Sequence, residues 1–165
     1  MNQTYAEAGV KRRETASSYG IRALLILAII VAIFISTLHT IALIISIVII
    51  FGVIYIFPKL KVEYEYIYVD GQLDFDKIMG NSKRKTDLRI DFEQVEIMAP
   101  MNSHALDPYK NSNLKTKDYS SRNPEARPYV IIYRKGEKAY KILFEPNENM
   151  LEAIKLKNPR KLAEY

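Results

Sequence analysis

A long apolar stretch divides the chain into a short polar beginning and a longer mixed remainder. Residues 23–57 contain no Asp, Glu, Lys or Arg, and most of their polar side chains lie in the segment STLHT at 36–40. One straight helix of this length would span about 52 Å at about 1.5 Å per residue, well beyond a hydrocarbon core of about 30 Å. We therefore predict two transmembrane helices, at about 21–37 and 40–57, that fold back at the polar segment. A single tilted helix is the alternative.

Cations flank this stretch on both sides, whereas its central polar segment carries none. The cations before and after it are Lys11, Arg12, Arg13, Arg22, Lys59 and Lys61. Positively charged flanks favour the cytoplasmic side of a membrane. We therefore expect a multi-pass protein of the cell membrane with both termini in the cytoplasm. Residues 1–20 would form a cytoplasmic N-terminal segment, and residues 58–165 would form a cytoplasmic domain.

An alternating pattern of tyrosines and acids begins soon after the second helix, in the segment KVEYEYIYVDGQLDFDKI. Successive side chains of a strand point to opposite faces, so Tyr64, Tyr66 and Tyr68 share one face. The dipeptide Asp70-Gly71 predicts a type I′ hairpin turn, because this turn needs positive φ at both central positions. The returning strand continues the tyrosine face, which predicts the inner face of a β-domain.

Two acids of the same segment, Glu65 and Asp76, fall opposite each other on the outer face of this hairpin. Facing carboxylates could act as an acid–base pair or bind a cation. Acids that alternate along a solvated strand face are the commoner arrangement, and the sequence favours it here. Neighbouring cations, among them Lys77, Arg89 and the basic run at 83–85, could relieve the repulsion between the two acids.

Further alternating segments complete a domain of strands with one terminal helix. The segments TDLRIDF and QVEIMA predict two strands, and YVIIYRKGEKAYKILF predicts a second hairpin that turns around Gly136. Between them, residues 101–128 are polar and contain several prolines, which predicts a long loop with room for one short helical turn. A helix at about 147–158 follows, with Asn147 as its N-cap.

The order of these elements resembles that of a bacterial pleckstrin-homology-like (PH-like) domain, in which an antiparallel sheet structure is closed at one end by its last helix. The segments that carry the resemblance are LRIDFEQVEIMAP, the second hairpin and the strand-to-helix join ILFEPNENMLEAI. The whole chain, from VKRRET to YEYIYVDGQLDFDKIMG, is also similar to a family of small bacterial two-helix membrane proteins of unknown function. The resemblance implies an α+β fold. It would consist of an N-terminal transmembrane α-helical hairpin and an antiparallel PH-like β-barrel or sandwich capped by a C-terminal helix.

Composition and motifs give no sign of catalytic chemistry. The chain has no cysteine, and its two histidines, His39 and His104, lie in separate polar segments. Two distant histidines cannot assemble a metal centre, and the sequence contains no glycine-rich phosphate loop. A net charge of +5, from 24 basic and 19 acidic residues, is too small and too scattered for a nucleic-acid-binding face. We expect a non-enzymatic protein without catalytic residues, metal or cofactor, and without a nucleic-acid partner.

One basic cluster is a candidate contact site for the membrane or for phosphate groups. It comprises Lys77, Lys83, Arg84 and Lys85, which the sequence places in or beside a turn between early strands. The PH-like resemblance implies a position at which related eukaryotic domains hold lipid phosphates. Non-specific attraction to an anionic inner leaflet, at about 1 kcal/mol per cation, and plain solvation are the alternatives.

These observations favour an interaction module held at the lipid bilayer. Its helices would anchor a PH-like domain at the inner membrane face for a protein or lipid partner, and a homo-oligomer in the membrane is a further possibility. The alternative function is that of an accessory subunit of a membrane transporter or membrane enzyme complex, whose helices join a larger bundle. Such a subunit needs small or hydroxyl-bearing positions for close helix contact, such as Ser46 and Gly52.

Overall fold

The computed structural model describes residues 4–80 and 83–163 of the chain, with the backbone alone at residue 83. The chain divides into a β-domain and a helical unit, each built from segments that are separate in sequence. Of the described residues, 4–12, 63–78 and 84–163 belong to the β-domain, and 13–62, 79–80 and 83 belong to the helical unit.

The described strands of the β-domain form two four-stranded sheets. The first contains, in spatial order, β1 (Tyr5–Lys11), β2 (Val62–Val69), β3 (Gln72–Met79) and β4 (Lys83–Asp91). The second contains, in spatial order, β5 (Val95–Pro100), β7 (Tyr129–Lys135), β8 (Lys138–Phe144) and β6 (Lys115–Asp118). A terminal helix, α3 (Glu148–Lys157), follows the strands. The described strands form an open PH-like sandwich, so the predicted α+β class is confirmed and a closed barrel is not formed.

The first hairpin turns at Asp70-Gly71, as the sequence predicts. Asp70 has a φ of 47° and Gly71 a φ of 97°, and positive φ at both central positions is the mark of a type I′ turn. The second hairpin pairs Lys135 with Lys138, so a two-residue turn that begins with Gly136 joins its strands. Gly136 has a φ of 59°, a conformation that glycine adopts without steric cost.

The tyrosine face of β2 lies in the core of the β-domain. Tyr64 is 5 % exposed, and Tyr66 and Tyr68 are fully buried. The Tyr66 ring meets the rings of Phe75 and Phe144 edge to face, at centroid distances of 5.6 and 5.4 Å. Such contacts place a positive ring edge on a negative ring face and add about 0.5–1.5 kcal/mol per pair beyond burial. The predicted orientation of this strand is confirmed.

Strand β1 is an element that the sequence pattern does not predict. It precedes the helices, yet it pairs antiparallel with β2, with Lys11 opposite Glu63 at the far end of the ladder. Its buried side chains are those of Ala6 and Ala8. Alanine has a low strand propensity and buries little area, so this segment gives a weak signal until its partner strand is known. The N-terminal segment therefore belongs to the same sheet as the residues that follow the helices.

The segment 101–128 is more ordered than the long loop that the sequence predicts. It contains a 3-10 helix, His104–Tyr109, and the strand β6, which pairs parallel with β8. Leu106 of the 3-10 helix packs against Val130 and Ile132 of β7. The apolar residues of this segment are too far apart in sequence to form a periodic pattern. The sequence therefore does not predict that they pack on the second sheet.

Helix α3 begins after the predicted N-cap. The Asn147 side-chain oxygen accepts a hydrogen bond from the Met150 backbone N–H at 2.9 Å. Met150 and Ile154 are fully buried, and Glu148 lies in the first turn, where a negative charge is favoured by the helix dipole. Capping and burial together stabilise a helix that is too short to be stable by itself.

Two apolar helices, α1 (Ala16–Ser36) and α2 (Thr40–Ile56), form most of the helical unit, and a 3-10 turn, Phe57–Leu60, follows α2. Both helices are long and apolar enough to cross a membrane, by length and composition. Between them, Ser46 Oγ donates a hydrogen bond to the Ala32 carbonyl oxygen at 2.6 Å. Only 6 % and 11 % of their most apolar windows are buried, which is unlike the core helices of a soluble protein.

Candidate functional site

The four basic residues predicted as a contact site lie on β3 and β4. Lys77 is half-buried in β3, and the run from Lys83 to Lys85 forms the start of β4, where the sequence predicts a turn. Neighbouring residues of a strand point to opposite faces, so Arg84 and Lys85 do not share a face. Lys85 is exposed, and the side chain of Lys83 lies outside the described part of the chain. Contact of this cluster with lipid or phosphate stays a prediction.

Arg84 binds two carboxylates of the same sheet. Its Nε donates to Asp76 Oδ2 at 2.5 Å, and its Nη2 lies 3.0 Å from Glu65 Oε2. The hydrogen bond to Asp76 raises the pKa of the Arg84 guanidinium, and the charge of Glu65 raises it further. A guanidinium that is already paired with two acids has little capacity left for a phosphate group. Lys77 and Lys85 are therefore the described members of the cluster with most freedom to contact a membrane.

The acidic cluster continues onto β1. The Tyr5 hydroxyl donates to Glu7 Oε2 at 2.5 Å, and the carboxyl groups of Glu7 and Glu65 are close enough to shift each other's pKa. Two neighbouring carboxyl groups do not ionise independently, because the charge of one disfavours the charge of the other. Contact with Glu7, together with burial, raises the pKa of Glu65, whereas contact with Glu65 and the bond accepted from Tyr5 lower the pKa of Glu7.

The expectation that Glu65 and Asp76 lie on a solvated face is wrong. Their side chains are 20 % and 6 % exposed, although they occupy one face of the sheet as predicted. The physical reason is Arg84, whose guanidinium reaches from β4 to both acids and takes the place of water. Among the described residues, Asp76 Oδ1 is buried and has no hydrogen-bond partner. Alternation predicts the face of a side chain, but it does not predict what covers that face.

The chemistry of this cluster is that of an ion-pair network across a sheet. Glu7, Glu65, Asp76 and Arg84 come from β1, β2, β3 and β4, so the network has one member on each strand of the first sheet. Within the part of the chain that the structure describes, no three His, Asp or Glu side chains are arranged to hold a metal ion. Because the network includes one residue of each strand, it can stabilise the pairing of β1 with the rest of the sheet.

The helical unit carries a second ion pair, which the sequence pattern does not predict. Arg22 donates to Glu14 through both terminal nitrogens, at 2.5 and 2.6 Å, and the two side chains are 14 % and 25 % exposed. The Arg22 guanidinium also lies over the rings of Tyr19 and Phe57, at 5.9 and 5.7 Å from their centroids. A bidentate carboxylate makes it possible to bury an arginine beside apolar groups. Glu14 precedes α1, so the helical period gives no signal of this pair.

Comparison with protein families agrees with the observed architecture. The family model described as "Bacterial PH-like domain (DUF6106)" matches residues 2–164, which include both the apolar helices and the β-domain. Comparison with curated proteins and with solved structures gives no match. Since the family model extends over nearly the whole chain, the protein belongs to this bacterial PH-like domain family.

Proposed function

We propose that the protein is an integral membrane protein whose helical hairpin holds the PH-like domain at the inner face of the cell membrane. The domain acts there as a non-enzymatic interaction module for a protein or lipid partner. The observation that carries the proposal is the pairing of β1 with β2, because these strands flank the two apolar helices in sequence.

This pairing supports a hairpin in the membrane rather than a single tilted span. Strand β1 precedes α1 and β2 follows α2, and both strands belong to one sheet. An open sheet does not occur inside the hydrocarbon region, so the whole sheet lies on one side of the membrane. The beginning of α1 and the end of α2 then lie on that same side, so the chain must cross the membrane twice.

The distribution of charge supports the cytoplasm as that side. Cations precede α1 and follow α2, and they include Lys11, Arg12 and Lys59. The connection between the helices, at residues 37–39, carries no Lys or Arg. Because Lys and Arg are retained on the cytoplasmic side, the β-domain faces the cytoplasm and the connection faces outward.

Labelling of single cysteines tests this topology. The chain has no cysteine, so His39→Cys in the connection and Glu137→Cys in the β7–β8 turn each provide one reactive thiol at an exposed position. A maleimide that cannot cross membranes should label His39→Cys in intact cells, and Glu137→Cys only after permeabilisation. Labelling of Glu137→Cys in intact cells would contradict the cytoplasmic domain. Release of the chain from membranes by alkaline carbonate would contradict the membrane anchor itself.

Gly52 favours a second function, that of an accessory subunit in a larger membrane complex. A Cβ at Gly52 would meet nothing within 4 Å, so the backbone of α2 is open there to a neighbouring helix. Ser46 instead forms a hydrogen bond between α1 and α2. Crosslinking in membranes separates the two functions. Loss of a crosslinked partner in Gly52→Leu, but not in the matched variant Gly20→Leu, supports the subunit. A partner retained in both variants supports the anchored module.

A further inference from the structure

A cavity opens at the end of α2, where the chain leaves its apolar stretch. It has a volume of about 610 Å³ and lies within the helical unit. Its apolar wall consists of Phe51, Ile54, Tyr55, Pro58 and Met79. The first three share one face of α2, because residues three and four apart are neighbours on a helix surface. The apolar face of the helix therefore continues without a break into the cavity.

The cavity is a fixed concavity, because a turn of the chain closes one side of it. Gly80 has a φ of 64°, and its backbone N–H donates to the Lys61 carbonyl oxygen at 3.1 Å. A Cβ on Gly80 would come within 3.0 Å of the Pro58 Cβ. Only glycine combines this conformation with so close an approach. The wall opposite the helix face is thus built into the backbone.

Lys59 supplies the charge at this cavity. Its Nζ lies 3.3 Å from the centroid of the Tyr55 ring, where the negative face of the ring holds a cation. Among the described residues, no carboxylate lines the cavity, and none lies within ion-pair distance of Lys59. The site therefore combines an apolar wall with an ammonium group that has no anionic partner in the described part of the chain.

We propose that this cavity binds one anionic phospholipid of the inner leaflet, with the headgroup phosphate on Lys59 and the acyl chains along Phe51 and Ile54. The inference rests on the proposed insertion of α2 into the membrane. A free phosphate ion would leave the apolar wall uncovered, whereas a phospholipid fills both parts of the site. A zwitterionic headgroup would bring its own cation towards Lys59, so an anionic lipid fits better. Among the described side chains, the basic residues of β3 and β4 do not line this cavity.

Fluorescence quenching tests the proposal in the full chain. The protein has no tryptophan, so Tyr55→Trp places a single indole in the cavity wall and keeps an aromatic ring beside Lys59. The variant is reconstituted in phosphatidylcholine vesicles that contain an equal small fraction of brominated phosphatidylglycerol or brominated phosphatidylcholine. We expect the anionic quencher to be preferred about fivefold, which corresponds to about 1 kcal/mol from one lysine. Lys59→Gln should abolish the preference.

Lys61→Gln is the matched control. It removes the same charge at a position two residues after Lys59, and the Lys61 side chain does not line the cavity. It should keep the preference. Equal quenching by the two lipids, or equal losses in the two glutamine variants, would overturn the lipid site and leave general attraction alone. Competition by inorganic phosphate would also overturn it, in favour of a free anion.

Failure of this site and failure of the membrane anchor can be distinguished. A chain released from the vesicles by alkaline carbonate contradicts the anchor, whereas a chain that is retained without a lipid preference contradicts the site alone. If Tyr55→Trp does not insert, native mass spectrometry of the unmodified chain with the same two lipids measures the same preference. Absence of a preference there overturns the proposal.

Discussion

Truncation of Tyr66 should remove a large part of the stability of the β-domain. The ring is fully buried and contacts Phe75 and Phe144, and its hydroxyl donates to the Tyr119 carbonyl oxygen at 2.6 Å. Removal of a buried aromatic ring costs about 3–5 kcal/mol. Tyr66→Ala also leaves the Tyr119 carbonyl without its partner, so the upper part of this range is expected. Tyr66→Phe keeps the ring, so its free energy of unfolding should fall by about 1–3 kcal/mol, because only the hydrogen bond to the Tyr119 carbonyl is lost.

Pulse proteolysis in urea measures these losses in the full chain, solubilised in a mild detergent. A small domain loses about 1–3 kcal/mol of unfolding free energy per molar urea, so Tyr66→Ala should lower the unfolding midpoint by about 2 M. Tyr5→Ala is a suitable control because this tyrosine of the same sheet is 59 % exposed. Tyr5→Ala should lower the free energy of unfolding by no more than about 1 kcal/mol, which is the range of strand propensity. Equal midpoint shifts for Tyr66→Ala and Tyr5→Ala would refute the assignment of the tyrosine face to the core.

Four further outcomes follow from the sheet and its cap. Contact with Glu7 and burial raise the pKa of Glu65, so the domain should lose stability as the pH rises through that pKa, and Glu65→Gln should reduce this fall in the urea midpoint. Glu65→Lys should destabilise the domain, because it brings a cation to the Arg84 guanidinium; an unchanged midpoint would contradict the ion-pair network. Asn147→Ala should cost about 1 kcal/mol by the same assay, since it removes the cap of α3. Joining Arg12 to Val62 through Asn-Gly should give a domain that folds without detergent, whereas residues 59–165 alone should give a less stable one by circular dichroism.

The elements that the sequence predicts correctly are those with a local physical signal. The hairpin at Asp70-Gly71 combines strict alternation with a dipeptide that tolerates positive φ, and both features lie within a few residues. Helix α3 carries its own N-cap in Asn147 and its own apolar stripe. The two long helices are defined by the absence of charge over residues 23–57. None of these predictions depends on which strands become neighbours.

The features that the sequence does not predict depend on distant partners. The parallel pairing of β6 with β8 follows from the path of a polar segment whose pattern carries no period. At Glu65 the alternating pattern identifies the outer face and, from that alone, would make Glu65→Lys neutral or mildly stabilising. The structure reverses this expectation, because Arg84 of β4 lies 3.0 Å from the Glu65 carboxylate. Which cation of a basic run meets these acids is decided by strand register rather than by composition.

Strand β1 extends the folded β-domain to residues that precede the two apolar helices. Because Lys11 lies opposite Glu63 in an antiparallel ladder, the two apolar helices are an insertion between paired strands rather than a leader joined to a finished domain. A domain that begins at residue 58 would lack this strand and expose the edge of β2, with its unpaired backbone groups. Glu7 of the ion-pair network and the cross-strand neighbours of Tyr66 and Tyr68, which are Ala8 and Ala6, would be lost with it. The N-terminal segment is therefore part of the folded domain, and the pair of apolar helices is joined to the sheet by two connections.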